Sequence, residues 1–390
     1  MVLPMICPGL LVLTGALFTG PQEPTPPEPP APAAEWRQYR GNSGQQGVAA
    51  GNLADELEFR WTYDVGKAIA SSPVVAGGIV YFGADDQKIH AVDGRTGEAV
   101  WTFETEDMVE APPTVVGDLV VIGSNDFFVY GLDRLTGELR WKFEGGDKFI
   151  GAAVPVEGPG GEQRVVIGCY DTNLYCLDVE DGSEVWAYTT DNYVNGTPAV
   201  DEEGRIVFGG CDAVLHVVSA RTGEALSRLE LGEACHVAGS TAIESGRAYF
   251  GHYGNAFVSV DLDDQKVIWE YTDPNHAFFS SPAILEDRVI FGGRDRELHC
   301  VNKETGEELW SFKTRRKVDS SPVACDGKVV FGSGDGWLHM LRVEDGESLW
   351  SYEIGRSILG SPAVVGGEVL IGANDGRLYC FGSVEDDQSR

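Results

Sequence analysis

The sequence predicts an all-β fold, an eight-bladed β-propeller of four-stranded blades whose last blade is closed by the N-terminal strand. Three observations lead to this prediction. A unit of about 40 residues recurs along the chain, and most copies end in tryptophan. Each copy contains four short runs of β-branched and aromatic residues bounded by Gly and Asp, as expected for the strands of a propeller blade. A lone copy of the fourth run, at residues 59–63, precedes the first complete unit.

The segment before the repeats divides into three parts. Residues 9–18 form an apolar run that predicts a signal peptide at 1–20, with a short membrane anchor as the alternative. A proline-rich linker follows at 21–34, and a lead-in segment occupies 35–57. We therefore expect an exported protein, periplasmic or extracellular, which an uncleaved N-terminus would tether to a membrane.

Each repeat contains the same four elements in the same order. The first strand begins at a Ser-Pro pair such as Ser72-Pro73, where the missing proline N–H is tolerated. The second strand is followed by a repeated Asp, such as Asp86. The third strand leads into an Asp-x-x-Thr-Gly turn, in which Asp bonds the backbone and Gly supplies a positive φ. The fourth strand carries the tryptophan, for which we expect a structural role at Trp61, Trp101, Trp141, Trp186, Trp269, Trp310 and Trp350.

The number of blades follows from a count of strand sets. Sets of first, second and third strands start near residues 71, 111, 152, 197, 240, 280, 320 and 361. The last set ends at Phe381 without a tryptophan strand of its own. The lone strand at 59–63 is therefore expected to complete the eighth blade and to remove its free edge. The propeller should span 58–384, followed by a short tail at 385–390.

The repeat resembles a known family. Its Ser-Pro-Val, Phe-Gly-x-x-Asp, Leu-Tyr-x-Leu-Asp and Thr-Gly-Glu-x-x-Trp elements are similar to the pyrroloquinoline-quinone (PQQ)-like repeat of quinoprotein-type propellers, over residues 58–382. The lead-in Trp36-Arg37-Gln38-Tyr39-Arg40-Gly41 resembles the segment that precedes such propellers in secreted bacterial proteins. One branch of this family consists of dehydrogenases that bind PQQ and Ca²⁺, and the other consists of cofactor-free, BamB-like scaffolds. The chain has the length of the second branch and lacks the adjacent cysteine pair typical of the first, so the resemblance implies no cofactor, with PQQ and Ca²⁺ as the alternative.

The charge balance excludes one class of partner. The chain has 29 Lys and Arg against 61 Asp and Glu, a formal net charge of −32, which argues against nucleic-acid binding. Basic residues are nevertheless concentrated in loops that share one face of a propeller. We expect them to form a basic arc at the mouth of the central channel that binds a protein of the cell envelope or an anionic peptide. A solvated patch balanced by nearby acids is the alternative.

The candidate partner-binding residues share this face. The basic ones are Lys67, Lys148, Arg294, Arg296, Arg315, Arg316, Lys317, Arg356 and Arg377. The aromatic ones are Tyr193, Phe278 and Phe279, which would form an exposed apolar group suited to protein contact. Phe279 alternatively plugs the channel.

Three cysteines lie on loops of the third to fifth blades, at Cys169, Cys211 and Cys235. In an oxidising compartment, a Cys169–Cys211 disulfide would join adjacent loops. A soft-metal site formed by Cys211, Cys235, His236 and His252 is a weak candidate, because the ligand spacing is not tight.

Motifs for nucleophilic catalysis, zinc proteolysis and nucleotide binding are absent from the sequence. We therefore expect a non-enzymatic, BamB-like binding or scaffold protein without catalytic residues. The alternative function is that of a quinoprotein-type oxidoreductase that binds PQQ and calcium.

Overall fold

The computed structural model describes Met1 and residues 35–232, 235–237 and 239–383. The signal peptide or anchor predicted at 1–20, the linker predicted at 21–34 and the tail predicted at 385–390 fall outside the described residues, except for Met1. In the described ranges there is no helix, and therefore none long and apolar enough to cross a membrane.

Strands account for the regular structure of these ranges. In chain order they are β1 (Glu58–Asp64), β2 (Val74–Ala76), β3 (Ile79–Ala84), β4 (Lys88–Asp93), β5 (Ala99–Glu104), β6 (Thr114–Val116), β7 (Leu119–Gly123), β8 (Phe128–Asp133), β9 (Leu139–Glu144), β10 (Val154–Glu157), β11 (Gln163–Gly168), β12 (Asn173–Asp178), β13 (Glu184–Thr189), β14 (Ala199–Val200), β15 (Arg205–Gly209) and β16 (Val214–Ser219). They continue with β17 (Ala225–Glu230), β18 (Ala242–Glu244), β19 (Arg247–His252), β20 (Ala256–Asp261), β21 (Lys266–Thr272), β22 (Ala283–Ile284), β23 (Arg288–Gly292), β24 (Glu297–Asn302), β25 (Glu308–Lys313), β26 (Val323–Cys325), β27 (Lys328–Gly332), β28 (Trp337–Arg342), β29 (Ser348–Glu353), β30 (Ala363–Val365), β31 (Glu368–Gly372) and β32 (Arg377–Gly382).

The strands form eight four-stranded antiparallel sheets, which are the blades of a β-propeller. Seven blades use four consecutive strands, from β2–β5 in blade 1 to β26–β29 in blade 7. Blade 8 has the order β30-β31-β32-β1, and its β1–β32 register pairs Trp61 with Cys380. The predicted fold and its closure by the N-terminal strand are confirmed.

The predicted tryptophans pack at the junctions between blades. Trp101 in blade 1 lies against Gly137 in the β8–β9 turn of blade 2, and its indole N–H donates to the carbonyl of Arg134 at 3.0 Å. Trp61, Trp141, Trp269 and Trp310 repeat both the glycine contact and the indole bond. Trp186 lies on the turn glycine of the next blade, but its indole nitrogen is buried without a partner. Trp350 instead meets Phe381 of blade 8, with ring centroids 5.3 Å apart. In blade 4, Ser227 replaces the tryptophan. In the facing turn of blade 5, Gln265 replaces the glycine.

We define two faces by their connections. The upper face carries the loops between second and third strands and the links from each fourth strand to the next blade. The lower face carries the other turns. The lead-in at 35–57 runs along the lower end of the channel and bonds the first strands of six blades through the backbones of Val75, Val115, Val200, Ile243, Ile284 and Ala324. It therefore closes the channel at that end.

Candidate functional site

The upper part of the channel is lined by a belt of hydroxyl groups at one repeat position. This hydroxyl belt consists of Ser72, Thr197, Ser240, Ser281, Ser321 and Ser361, all buried.

The belt joins neighbouring blades at six of the eight junctions, from blade 3 round the ring to blade 1. The Ser361 N–H donates to Ser72 Oγ at 2.8 Å, which links blade 8 to blade 1. Five equivalent bonds of 2.9–3.2 Å continue round the ring. In each, a backbone N–H donates to the belt hydroxyl of the next blade: Ser321 to Ser361, Ser281 to Ser321, Ser240 to Ser281, Thr197 to Ser240 and Ala152 to Thr197. The chain of bonds stops between Pro112, which has no N–H, and Ala152, which has no hydroxyl.

Tyr39 of the lead-in forms the floor beneath the belt. Its hydroxyl oxygen lies 3.2 Å from Ser321 Oγ and 3.5 Å from both Ser281 Oγ and Ser361 Oγ. The cavity above this floor has a volume of about 210 Å³, and its wall also includes Glu110, Asn195, Phe279 and Asp319.

A repeat position three residues before the belt explains where the two phenylalanines lie. In every blade, the residue at this position is a fully buried core residue. The eight residues are Ile69, Val109, Phe149, Val194, Val237, Phe278, Val318 and Ile358. Phe278 belongs to this set, so the expectation of an exposed Phe278 is wrong. Phe279, one residue later, is half-buried at the channel mouth.

The predicted basic residues do not line the cavity. Its described wall contains no Lys or Arg. Arg294 bonds Asp319 at 3.1 and 3.2 Å, and Lys317 reaches the same carboxylate at 2.5 Å. The basic arc at the mouth is therefore not formed as predicted, because the acid within the mouth already holds the two nearest cations.

The remaining basic candidates lie farther out on the upper face. Arg377 is paired with Asp64 at 3.2 Å. Lys148 lies over the ring of Tyr170, 4.6 Å from its centroid. The side chains of Lys67, Arg296, Arg315, Arg316 and Arg356 are exposed. Blades 6 to 8, with the link that follows them, thus carry an exposed basic sector, which we define as these last five residues.

Aromatic side chains occupy the other part of the upper face. Tyr193 stacks on Tyr170 with centroids 5.0 Å apart, and Tyr253 contacts Phe279 at 4.4 Å. The guanidinium of Arg294 covers Phe279, 3.8 Å from its centroid. We call Phe127, Tyr170, Tyr193 and Tyr253 the aromatic sector; Tyr193 is 46% exposed and Tyr253 is 49% exposed.

The sequence analysis did not single out Phe127, Tyr170 or Tyr253. Tyr170 precedes the repeated Asp, and Tyr253 holds the equivalent position in blade 5, where Gly254 replaces the Asp; other blades have residues such as Asp85, Asn125 or Cys211 there. Variation at one position within an otherwise regular repeat was the available signal. Phe127 is exposed and has a φ of 76°, in the left-handed region that bulky residues rarely adopt.

The repeated Asp residues have structural partners. Asp86, Asp212 and Asp295 each bond the ring of the histidine four residues later, and a tyrosine of the preceding blade bonds the other ring nitrogen in each case. Burial lowers the pKa of His90 in one of these sets. The interblade Tyr–His–Asp arrangement therefore gives these Asp residues a structural role between blades.

The cysteine predictions are not supported by the geometry. Cys169 and Cys211 are not bridged; the Cys169 thiol points at the carbonyl of Asp147, 3.2 Å away, and Cys211 Sγ lies 3.3 Å from the Asn195 amide. His236 bonds the Cys211 carbonyl through its ring. Within the described ranges, no group of three or more His, Cys, Asp or Glu side chains could hold a metal ion. The predicted Cys169–Cys211 disulfide is wrong in this structure, and Cys211, Cys235, His236 and His252 form no metal cluster.

These features define the class of protein: a closed, eight-bladed β-propeller whose frame repeats from blade to blade and whose upper loops differ between blades. A family model described as outer membrane protein assembly factor BamB matches residues 54–144, 129–212 and 211–390. The chain belongs to this family, and the predicted family resemblance is confirmed.

The individual relatives share low sequence identity with this chain. BamB of Escherichia coli (strain K12) is 22% identical over 165 residues, a match that spans 40% of this chain and 40% of that relative. The crystal structure of BamB from Moraxella catarrhalis superposes with a TM-score of 0.71 at 18% identity, over 84% of this chain and 100% of that one. Quinohemoprotein alcohol dehydrogenase from Comamonas testosteroni gives a TM-score of 0.77 at 13% identity, over 89% and 80% of the two chains. At these identities, both structural likenesses concern the fold alone.

Proposed function

We propose that the chain is an exported, non-enzymatic scaffold that binds a protein of the cell envelope through its upper face. Membership of the BamB family supports this reading, because the family description is that of an outer membrane protein assembly factor. The observation that carries the proposal is the pairing of an aromatic sector with a basic sector on one face. Tyrosine and arginine are enriched at protein interfaces, where they supply much of the binding energy.

The two sectors specify the chemistry of the partner. The aromatic sector would receive apolar side chains, and the exposed Arg315 and Arg316 would pair with carboxylates of an acidic segment. The chain as a whole is strongly acidic, so this basic sector is a local exception that would attract an acidic partner to the upper face. Charge therefore contributes to orientation as well as to affinity.

A crosslinking pull-down from native envelopes tests this proposal. The test variant combines Tyr193→Ser with Arg315→Glu. The control variant combines Leu135→Ser with Arg95→Glu, which makes the same changes in chemistry at exposed positions of the lower face. We expect the upper-face variant to lose the main crosslinked partner and the lower-face variant to retain it. Retention of every partner by the upper-face variant would contradict the proposal.

The oxidoreductase alternative is kept because the quinohemoprotein dehydrogenase has a similar fold. The residues fit PQQ and Ca²⁺ poorly: PQQ carries several carboxylates, and the cavity wall presents Glu110 and Asp319 without a metal-ligand cluster in the described ranges. We expect purified protein incubated with PQQ and Ca²⁺ to retain no chromophore and to show no dye-linked alcohol oxidation. A stoichiometric bound chromophore with alcohol oxidation would establish the alternative.

A further inference from the structure

The hydroxyl belt has hydrogen-bonding capacity that the propeller itself does not use. A hydroxyl group can donate one hydrogen bond and accept two. Each belt oxygen accepts an N–H from the preceding blade, so its own O–H remains to be donated. The hydroxyl groups of Ser281, Ser321 and Ser361 all lie near the hydroxyl oxygen of Tyr39. That single oxygen cannot accept a hydrogen bond from each of the three serines. Several donors therefore face the cavity.

Acceptors face the same cavity from its wall. Glu110 accepts a bond from the Asn125 amide at 2.7 Å and has no basic residue beside it in the cavity wall. Asn195 adds an amide, which can both donate and accept. The charge of Asp319 is balanced by Arg294 and Lys317. The cavity thus combines O–H donors with acceptors, and Glu110 is the one wall carboxylate that no basic residue balances.

We propose that this cavity binds a neutral, polyhydroxylated ring of monosaccharide size. An anion would meet the carboxylates of Glu110 and Asp319. A cation could pair with Glu110 but would leave the O–H donors of the belt without acceptors. A sugar ring carries hydroxyl groups, which both donate and accept, on most of its carbons and matches both sets at once. The cavity volume of about 210 Å³ is below the roughly 300–1,000 Å³ of pockets for drug-sized ligands, so one ring fits.

The ring could belong to a free monosaccharide or to the end of a glycan, because the cavity opens at the channel mouth. Titration calorimetry with N-acetylglucosamine and myo-inositol tests the shared chemistry, and chitotriose tests the glycan end. Inorganic phosphate and lysine amide serve as ionic probes. We expect saturable binding of at least one polyol at a single site, and no saturable binding of the two ions.

Two adjacent serines provide a matched pair of variants. Ser321→Ala removes a belt hydroxyl, whereas Ser320→Ala removes a buried hydroxyl outside the cavity that accepts the Gly332 N–H at 3.1 Å. We expect Ser321→Ala to weaken polyol binding roughly two- to tenfold, as for one lost hydrogen bond. Ser320→Ala should leave the affinity unchanged, and Glu110→Gln should weaken it without removing bulk.

The proposal is overturned if folded protein binds none of the polyols, if phosphate or lysine amide binds instead, or if Ser320→Ala weakens binding as much as Ser321→Ala. It does not depend on the scaffold function. The Tyr193→Ser/Arg315→Glu variant should lose the envelope partner and keep the polyol affinity, so the two proposals can fail separately.

Discussion

At the scale of single residues, the blade junctions depend on a glycine beneath each tryptophan. At Gly137, φ is +73°, and an added Cβ would lie 2.6 Å from the Trp101 ring. At Gly66, φ is +77°, but an added Cβ would meet nothing within 4 Å. Alanine at Gly66 therefore tests backbone strain alone, whereas alanine at Gly137 adds a steric contact with the Trp101 ring.

We expect Gly66→Ala to lower the free energy of unfolding by about 1 kcal/mol, the cost of a left-handed alanine. Gly137→Ala should cost about 1–3 kcal/mol more, because the indole must shift in a packed junction. Urea denaturation of both variants measures the difference. Equal losses would show that the glycine is required only for its φ.

His339 differs from the other interblade histidines because its neighbours do not bond it in the same way. Phe312 replaces the tyrosine that bonds His299 in blade 6, and His339 Nε2 is buried without a partner in the described structure. Burial lowers the pKa of His339 to about 4, against a weaker opposing effect of Asp335. The imidazole is therefore neutral in the folded protein at neutral pH.

This pKa predicts a loss of stability on acidification. The unfolded chain binds a proton near pH 6.5, but the folded chain binds it only near pH 4. The stability that neutral His339 contributes is fully present above pH 6.5 and declines as the pH falls towards 4. The free energy of unfolding decreases by roughly 3 kcal/mol over this range. His339→Gln should flatten the dependence of the unfolding free energy on pH in this window. An unchanged slope in urea denaturation between pH 6.5 and 4 would contradict the assignment.

At the scale of elements, the eighth blade differs from the others in how its fourth strand is held. β5 is joined to β4 by a short turn, whereas β1 meets β32 from the opposite end of the chain. Thr62 in β1 and Thr102 in β5 each follow the tryptophan and pair with Tyr379 and His90 respectively. Both side chains are exposed.

Proline at these matched positions tests the closure. Each substitution disturbs one edge strand locally. Thr62→Pro should lower Tm more than Thr102→Pro, because it also weakens the β1–β32 pairing that holds the ring closed. No short turn keeps β1 next to β32 once that pairing is lost. Thr62→Ala controls for the bond from the Thr62 hydroxyl to the Leu378 carbonyl, 2.9 Å long. Equal Tm losses for the two proline variants would show that closure adds little to stability.

At the scale of the whole molecule, the lead-in at 35–57 separates the roles of the two faces. It buries Trp36, Leu53 and Leu57 against the lower end of the ring, where it bonds the first strands of six blades. The upper face, which carries both sectors and the cavity, has no comparable strap in the described residues. The lower face is thus occupied by the chain itself, and the upper face is available to ligands.

A variant without residues 35–57 tests the stabilising role of this segment. Three large apolar side chains lose their burial, each worth about 1.5–3 kcal/mol. We therefore expect a strand content close to wild type by circular dichroism, because β1 is retained, together with a Tm lowered by several degrees. An unchanged Tm would mean that the lead-in contributes only the channel floor.

The candidate site was less predictable than the fold. Comparison of the repeats placed the candidate loops on one face and identified the tryptophan series, since both depend on position within a blade. It failed for Phe278, which holds a core position, and for the pairing of Arg294 and Lys317 with Asp319. The pairing with Asp319 depends on contacts between neighbouring loops, which the repeat pattern does not contain. The burial of Phe278 follows from a repeat position that the comparison of the repeats did not use.

The strands, the turns, the number of blades and the closure by β1 could all be predicted from the amino-acid sequence. They follow from local physics: short β-branched and aromatic runs, Asp-x-x-Thr-Gly turns, and a repeat that ends one strand short. Which loop residues meet depends instead on how the blades pack in the ring. The hydroxyl belt and the Tyr39 floor join residues that lie about 40 to 320 positions apart, and Arg294 meets Asp319 across two different loops. Ring closure brings them together, and no local pattern encodes such distances.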